Sequence, residues 1–215
     1  MNIFLLDYDH ETCARYHCDK HVVKMPLETT QMLCTVNWRY NQEAPYKPVH
    51  QKHPCTLWAG ETVNNYRWLW KLGISLCKEY TFRYNRVHAC EKILAIVKDP
   101  PVELTNTGLT KFAQAMPDEY KNADVIKAYH QYYNGEKKRL AVWKKRKTPP
   151  FMIIPTLSSS EIAARFARKK LILCFVPYVG LLIFIYSLKN AMESVALIVG
   201  VESKDTGVRG IKKIK

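Results

Sequence analysis

Acidic residues are scarce in this chain, with 19 Asp and Glu against 33 Lys and Arg among 215 residues and a formal net charge of +14 at pH 7. Such an excess calls for an anionic partner, either a phosphate backbone or an acidic lipid surface. No glycine-rich phosphate loop, no dinucleotide glycine pattern and no Ser–His–Asp arrangement occurs, which argues against the common nucleotide-dependent and serine-hydrolase classes. Neither a Cys-x-x-Cys pair nor a His-Glu-x-x-His motif is present, so no metal is expected. A secretory leader is not expected either, because the apolar run at Met1–Asp7 is short and followed at once by charge. Seven cysteines, an odd number, then read as free thiols in a reducing compartment, which gives a cytoplasmic expectation (the host cytoplasm for a phage-encoded protein). There is no internal repeat and no low-complexity tract.

What is present suits a folded, basic, mainly helical protein. Apolar residues make up 47% of the chain, too many for a disordered polypeptide. Charge is spread out: residues 1–156 carry 23 Lys and Arg against 15 Asp and Glu, and residues 157–215 carry 10 against 4. The expected architecture is all-α, a helical domain over 1–155 with a short N-terminal extended arm, followed by an apolar helical tail over 156–215. Asn2–Leu6 forms the arm. Asp9 caps a first helix with Glu11 in its first turn. Val22, Met25, Met32, Leu33 and Val36 recur near helical spacing up to about Trp38, and Pro26 predicts a kink or break there. Residues 41–54 read as a proline-rich loop. A long helix is expected from about Thr56 to Tyr84, another over 88–97, a turn at 116–120, and a last helix from Ala123 to about Lys147, softened at Asn134-Gly135.

The tail has a different character. Eighteen uncharged residues, Leu171–Leu188, lie between Arg168-Lys169-Lys170 and Lys189, about the length that crosses a bilayer core. Three readings stand for this segment: membrane contact through 171–188, an apolar helix packed on the first domain or on another copy, or an extension by fusion or altered frame.

Three clusters are candidates for chemistry. On a single helix His17, His21, Lys24 and Glu28 would be spaced i, i+4, i+7 and i+11 and share a face, with Lys20 beside it. Such a row could hold phosphate oxygens, with Glu28 as a proton-transfer carboxylate. The same histidines, with Cys13, Cys18, His50, His53 and Cys55 nearby in sequence, give only a weak zinc pattern. The second cluster sets Lys52, His53, Asn65 and Arg67 among Trp58, Tyr66, Trp68 and Trp70, a mixture that fits phosphates and base faces but equally fits a core. The third is Lys137, Lys138, Arg139 and Lys144–Lys147, a backbone-contacting basic patch.

With these clusters placed, the chain resembles the phage-type pyrimidine-dimer DNA glycosylase/AP lyase (endonuclease V) family over roughly residues 2–150. Three stretches carry the likeness: Ala14-Arg15-Tyr16-His17 leading to Lys24-Met25-Pro26, His53-Pro54 to Arg83-Tyr84 with Leu57-Trp58-Ala59-Gly60-Glu61, and Met116-Pro117-Asp118-Glu119-Tyr120 with Trp143-Lys144. The resemblance implies a cofactor-free enzyme that binds double-stranded DNA and flips a base from the stack. It further implies attack on the sugar C1′ by an N-terminal α-amine, assisted by a glutamate on the first helix. Two departures stand out. Asn2 is not small, so Met1 is expected to be retained, with its amine one residue further out. The family's glutamate aligns nearest Lys24, and the closest carboxylate is Glu28, one turn on. Lys24 or Lys20 could stand in as the amine. The expected catalytic set is therefore Met1, Asn2, His17, Lys24 and Glu28, with Lys20, His21, Lys52, His53, Asn65, Arg67, Lys137, Lys144 and Lys145 contacting DNA. The alternatives are a non-catalytic nucleic-acid-binding accessory protein and a membrane-associated basic protein.

Overall fold

The computed structural model describes residues 1–153. The expected tail over 156–215, with its apolar stretch 171–188, lies outside the described residues. Among the described residues, six α-helices and two short 3₁₀ turns make up the regular structure: α1 His10–Tyr16, α2 Asp19–Arg39, α3 Pro54–Ala59, α4 Val63–Tyr84, α5 Cys90–Ile96 and α6 Val125–Asn134, with turns at Asp118–Tyr120 and Lys138–Leu140. The all-α expectation holds: among the described residues there is no strand, only an isolated bridge between Thr62 and Thr105. None of these helices is long and apolar enough to cross a membrane.

Helices α2 and α4 form the centre and run antiparallel. Asn37 near the end of α2 donates to the Tyr66 hydroxyl near the start of α4 at 2.7 Å, and Asp19 at the start of α2 meets Arg83 at the end of α4 at 2.9 Å. Midway, Gly73 permits close approach: a Cβ there would lie 2.9 Å from the Thr29 methyl and 3.2 Å from Leu94 of α5. Packing around this axis buries Met32, Leu33, Leu69, Leu72 and Leu76.

The N-terminal arm carries no regular secondary structure and threads through the core. Ile3, Phe4, Leu5 and Leu6 are all buried. At roughly 1.5–3 kcal/mol for each fully buried apolar side chain, burial on this scale fixes the arm against fraying.

Local signals held where the cap was local. The Asp9 carboxylate accepts from the Thr12 amide at 2.8 Å, and α1 starts behind it. Three boundaries differ from expectation. The break in the first helical stretch falls at His17-Cys18 rather than at Pro26, and α2 runs through the proline. A proline inside a helix costs ~3 kcal/mol, which burial of Val22, Met25, Met32 and Leu33 on the same helix outweighs. The stretch expected as one helix from Thr56 is two, divided at Gly60–Thr62, where the Thr62 hydroxyl accepts from Asn65 N and starts α4. The last helix stops at Asn134 with Gly135 as its C-cap, where a Cβ would strike the Tyr120 ring.

Candidate active site

The structure brings the chain's first residues against Glu28. This carboxylate is 7% exposed on α2, and its Oε2 accepts from the Asn2 amide at 3.0 Å. The α-amine of Met1 stands 3.7 Å from the same oxygen. Oε1 pairs with the Lys24 ammonium at 3.0 Å, one turn earlier on α2, and that lysine is 68% exposed at its side chain. One buried carboxylate thus faces two amines, one at the end of the arm and one at the surface. Continuity of α2 through Pro26 keeps Lys24 and Glu28 on one face.

The surroundings of the amine come from α3 and its capping residue. Met1 Sδ accepts from the Thr56 hydroxyl at 3.5 Å. His53 caps α3, its Nδ1 accepting from Cys55 N at 3.2 Å, which places the imidazole proton on Nε2. Burial and the nearby N-terminal charge hold His53 below its ordinary pKa. Burial pushes the Cys55 thiol up to about 11, so it faces the arm as a neutral group.

Several expected site residues lie elsewhere. His17 is not on the helix that carries Glu28; it caps the end of α1 and is fully buried. Its Nδ1 lies 2.7 Å from the Cys13 carbonyl and must donate there, leaving Nε2 as a buried acceptor with no partner among the described residues. His21 is buried too, stacked on Phe4 at 4.4 Å and hydrogen-bonded to the Tyr133 hydroxyl. Both histidines belong to an aromatic cluster with Phe4 and Tyr133. Asn65 also lies away from the surface. It is fully buried, with its amide spent on the Trp58 carbonyl and Thr110. Among the described residues no three His, Cys, Asp or Glu side chains gather closely enough to hold a metal ion.

The remaining basic residues divide. Lys20, Lys52, Arg67 and Lys144 are exposed. The Lys137 ammonium lies 4.6 Å from the centre of the Tyr132 ring. Lys145 is exposed, but its ammonium donates to the Phe82 carbonyl and to Asn85 Oδ1, closing the end of α4. Arg146 is tied to Glu79 through two hydrogen bonds. What reads as one solvated basic run is partly a structural clasp.

The two buried histidines have a consequence for acid stability. Burial pushes His17 down to about 4 and His21 to about 3. Above the unfolded-state value near 6.5 both states are neutral, and neither loses stability. As pH falls below 6.5 the unfolded chain binds protons that the folded chain refuses, so stability declines down to about pH 4 on account of His17 and about pH 3 on account of His21. For His17 the loss is on the order of 3 kcal/mol. Urea unfolding from pH 7 to 4 should show this decline, shallower in His17→Gln; identical slopes would exclude His17 as a source.

A model of the pyrimidine dimer DNA glycosylase family matches residues 1–92. That span covers the arm, α1 to α4 and the start of α5, and so contains Met1, Asn2, Lys24, Glu28 and His53. Over these residues the chain is similar to that family, which bears out the distant resemblance seen in the sequence. No curated protein and no solved structure matches the chain.

Proposed function

We propose that this domain is a DNA N-glycosylase and abasic-site lyase that works through an imine formed by its N-terminal amine. The single observation that carries this reading is the placement of Glu28: the backbone nitrogen of residue 2 and the α-amine of residue 1 both lie against one buried carboxylate oxygen. A terminal amine is nucleophilic only when neutral, and a carboxylate at this position can accept the proton it gives up. The amine nitrogen then bonds to the sugar C1′ as the bond from C1′ to the base breaks, and the base leaves with a proton. The amine gives up a proton, the C1′–O4′ bond breaks with O4′ taking a proton to become a hydroxyl, and the open-chain sugar is left as a protonated imine on the amine nitrogen. The imine acidifies the C2′ hydrogen. Transfer of that proton to a base lets the C3′–oxygen bond break and the strand part.

Exposed Lys20, Lys52, Arg67 and Lys144 supply phosphate contacts to duplex DNA without reading its sequence. Of the two amines at Glu28, we assign the nucleophile to the N-terminus. Lys24 is largely in solvent and already neutralises the outer carboxylate oxygen. The family similarity over residues 1–92 supports DNA as the substrate.

The test is borohydride reduction during incubation with duplex DNA carrying one abasic site. A covalent protein–DNA complex is expected, together with strand cleavage in its absence. Binding that weakens with salt, with no complex and an intact strand, would instead identify a non-catalytic nucleic-acid-binding module.

A further inference from the structure

The residue after the amine is gripped by its side chain as well as by its backbone. Asn2 is buried, and its Nδ2 donates to the Ala115 carbonyl at 2.7 Å. Its Oδ1 accepts from Ile3 N at 2.8 Å and from the Tyr129 hydroxyl at 2.9 Å, with the Cys55 thiol at 3.8 Å. The carboxamide cannot flip, since its oxygen faces only donors and its nitrogen faces a carbonyl. Tyr129, fully buried on α6, has one hydroxyl proton between two acceptors, Asn2 Oδ1 and the Ala113 carbonyl at 2.8 Å. The same oxygen receives Ala115 N at 3.4 Å. One phenol therefore ties together α6, the 113–115 segment and the arm.

We infer that Tyr129 and the Asn2 side chain form a clamp that positions the α-amine against Glu28, and that Tyr129 is a positioning residue for the amine chemistry. The inference rests on the reading of that amine as the nucleophile. Glu28 holds residue 2 from one side by its backbone, and the clamp holds it from the other by its carboxamide. With residue 2 fixed twice, only the torsions of Met1 remain to place its nitrogen. Asn2 thus departs from a small second residue because its side chain has an anchoring task.

Tyr129→Phe keeps the ring and removes only the hydroxyl. At saturating abasic-site DNA the borohydride-trapping rate should fall tenfold or more, with half-saturation within twofold of the parent. Asn2→Ala should act in the same direction and serves if the first variant folds poorly. A second measurement does not depend on catalysis. Reductive methylation of full-length protein with ¹³C-formaldehyde labels the α-amine, and its methyl signal should be broad and dispersed in the parent but sharp and solvent-like in Tyr129→Phe. Unchanged trapping with an unchanged methyl signal would overturn the clamp, as would a loss confined to DNA affinity. If the parent traps nothing, the imine reading fails, and the methyl signal still decides whether Tyr129 orders the amine.

Discussion

Glu28→Gln should reduce imine trapping and strand cleavage by a factor of 10² to 10⁴, the usual contribution of a positioned general acid or base. The substitution keeps the shape and removes the charge and the proton-accepting capacity. It also creates a mismatch, because Oε2 faces the Asn2 amide and the α-amine while Oε1 faces the Lys24 ammonium. Whichever end the new amide nitrogen occupies, it meets a donor. The stability cost should stay near 1–3 kcal/mol, so the folded variant can be assayed. Lys24→Ala is the matching control. A pair with a largely exposed lysine contributes well under about 1 kcal/mol, and with the N-terminus as nucleophile this variant should trap within a few-fold of the parent. Equal, severe losses in both variants would transfer the nucleophile to Lys24.

The second large effect concerns folding. Arg83→Met should lower the unfolding free energy by about 3–5 kcal/mol, the range for breaking a buried charge network from one side. The Arg83 guanidinium is fully buried and makes four hydrogen bonds: to Glu79 at 2.7 Å, and to Asp19 and the carbonyls of His17 and Arg15 at 2.9 Å each. Two of these close the carbonyl end of α1, which the break at His17-Cys18 leaves open. Burial opposes the charge on Glu79, but hydrogen bonds from Arg146 and Arg83 prevail and hold its pKa below the ordinary value. Arg146 and the Lys144 amide remain as partners for Glu79 and Asp19 after the substitution, which limits the loss. A Tm drop on the order of 10 °C is expected. Arg83→Lys should recover little, since an ammonium cannot span the four acceptors. A shift below about 2 °C would show that the network is dispensable.

Features governed by neighbours in sequence were the legible ones. The Asp9 cap, the helix near 90–96 and the turn at Asp118–Tyr120 follow from residues a few positions apart. The continuity of α2 through Pro26 was not legible, because tertiary burial decides it against the local cost. Glu28 was legible as a carboxylate near the expected place, but its facing of the amine depends on where the arm threads. Tyr129 carried no signal at all, since an aromatic at helical spacing reads as core and its partner Asn2 is 127 residues away. The histidines misled for the opposite reason. His17 and His21 sit at a spacing that suggests a shared functional face, yet a break between α1 and α2 and the aromatic cluster around Phe4 take both inside. Asn65 and Lys145 were read as solvent-facing because no local pattern reveals that a distant loop or helix end will claim their polar atoms.

On this mechanism the amine held at Glu28 is the one that bonds to the sugar. Peptide mapping by mass spectrometry of the borohydride-reduced complex tests it most directly. A deoxyribose adduct is expected on the peptide that begins at Met1, and it should be lost when the α-amine is blocked beforehand. An adduct on Lys24 or Lys20, or full trapping by the blocked protein, would contradict this mechanism.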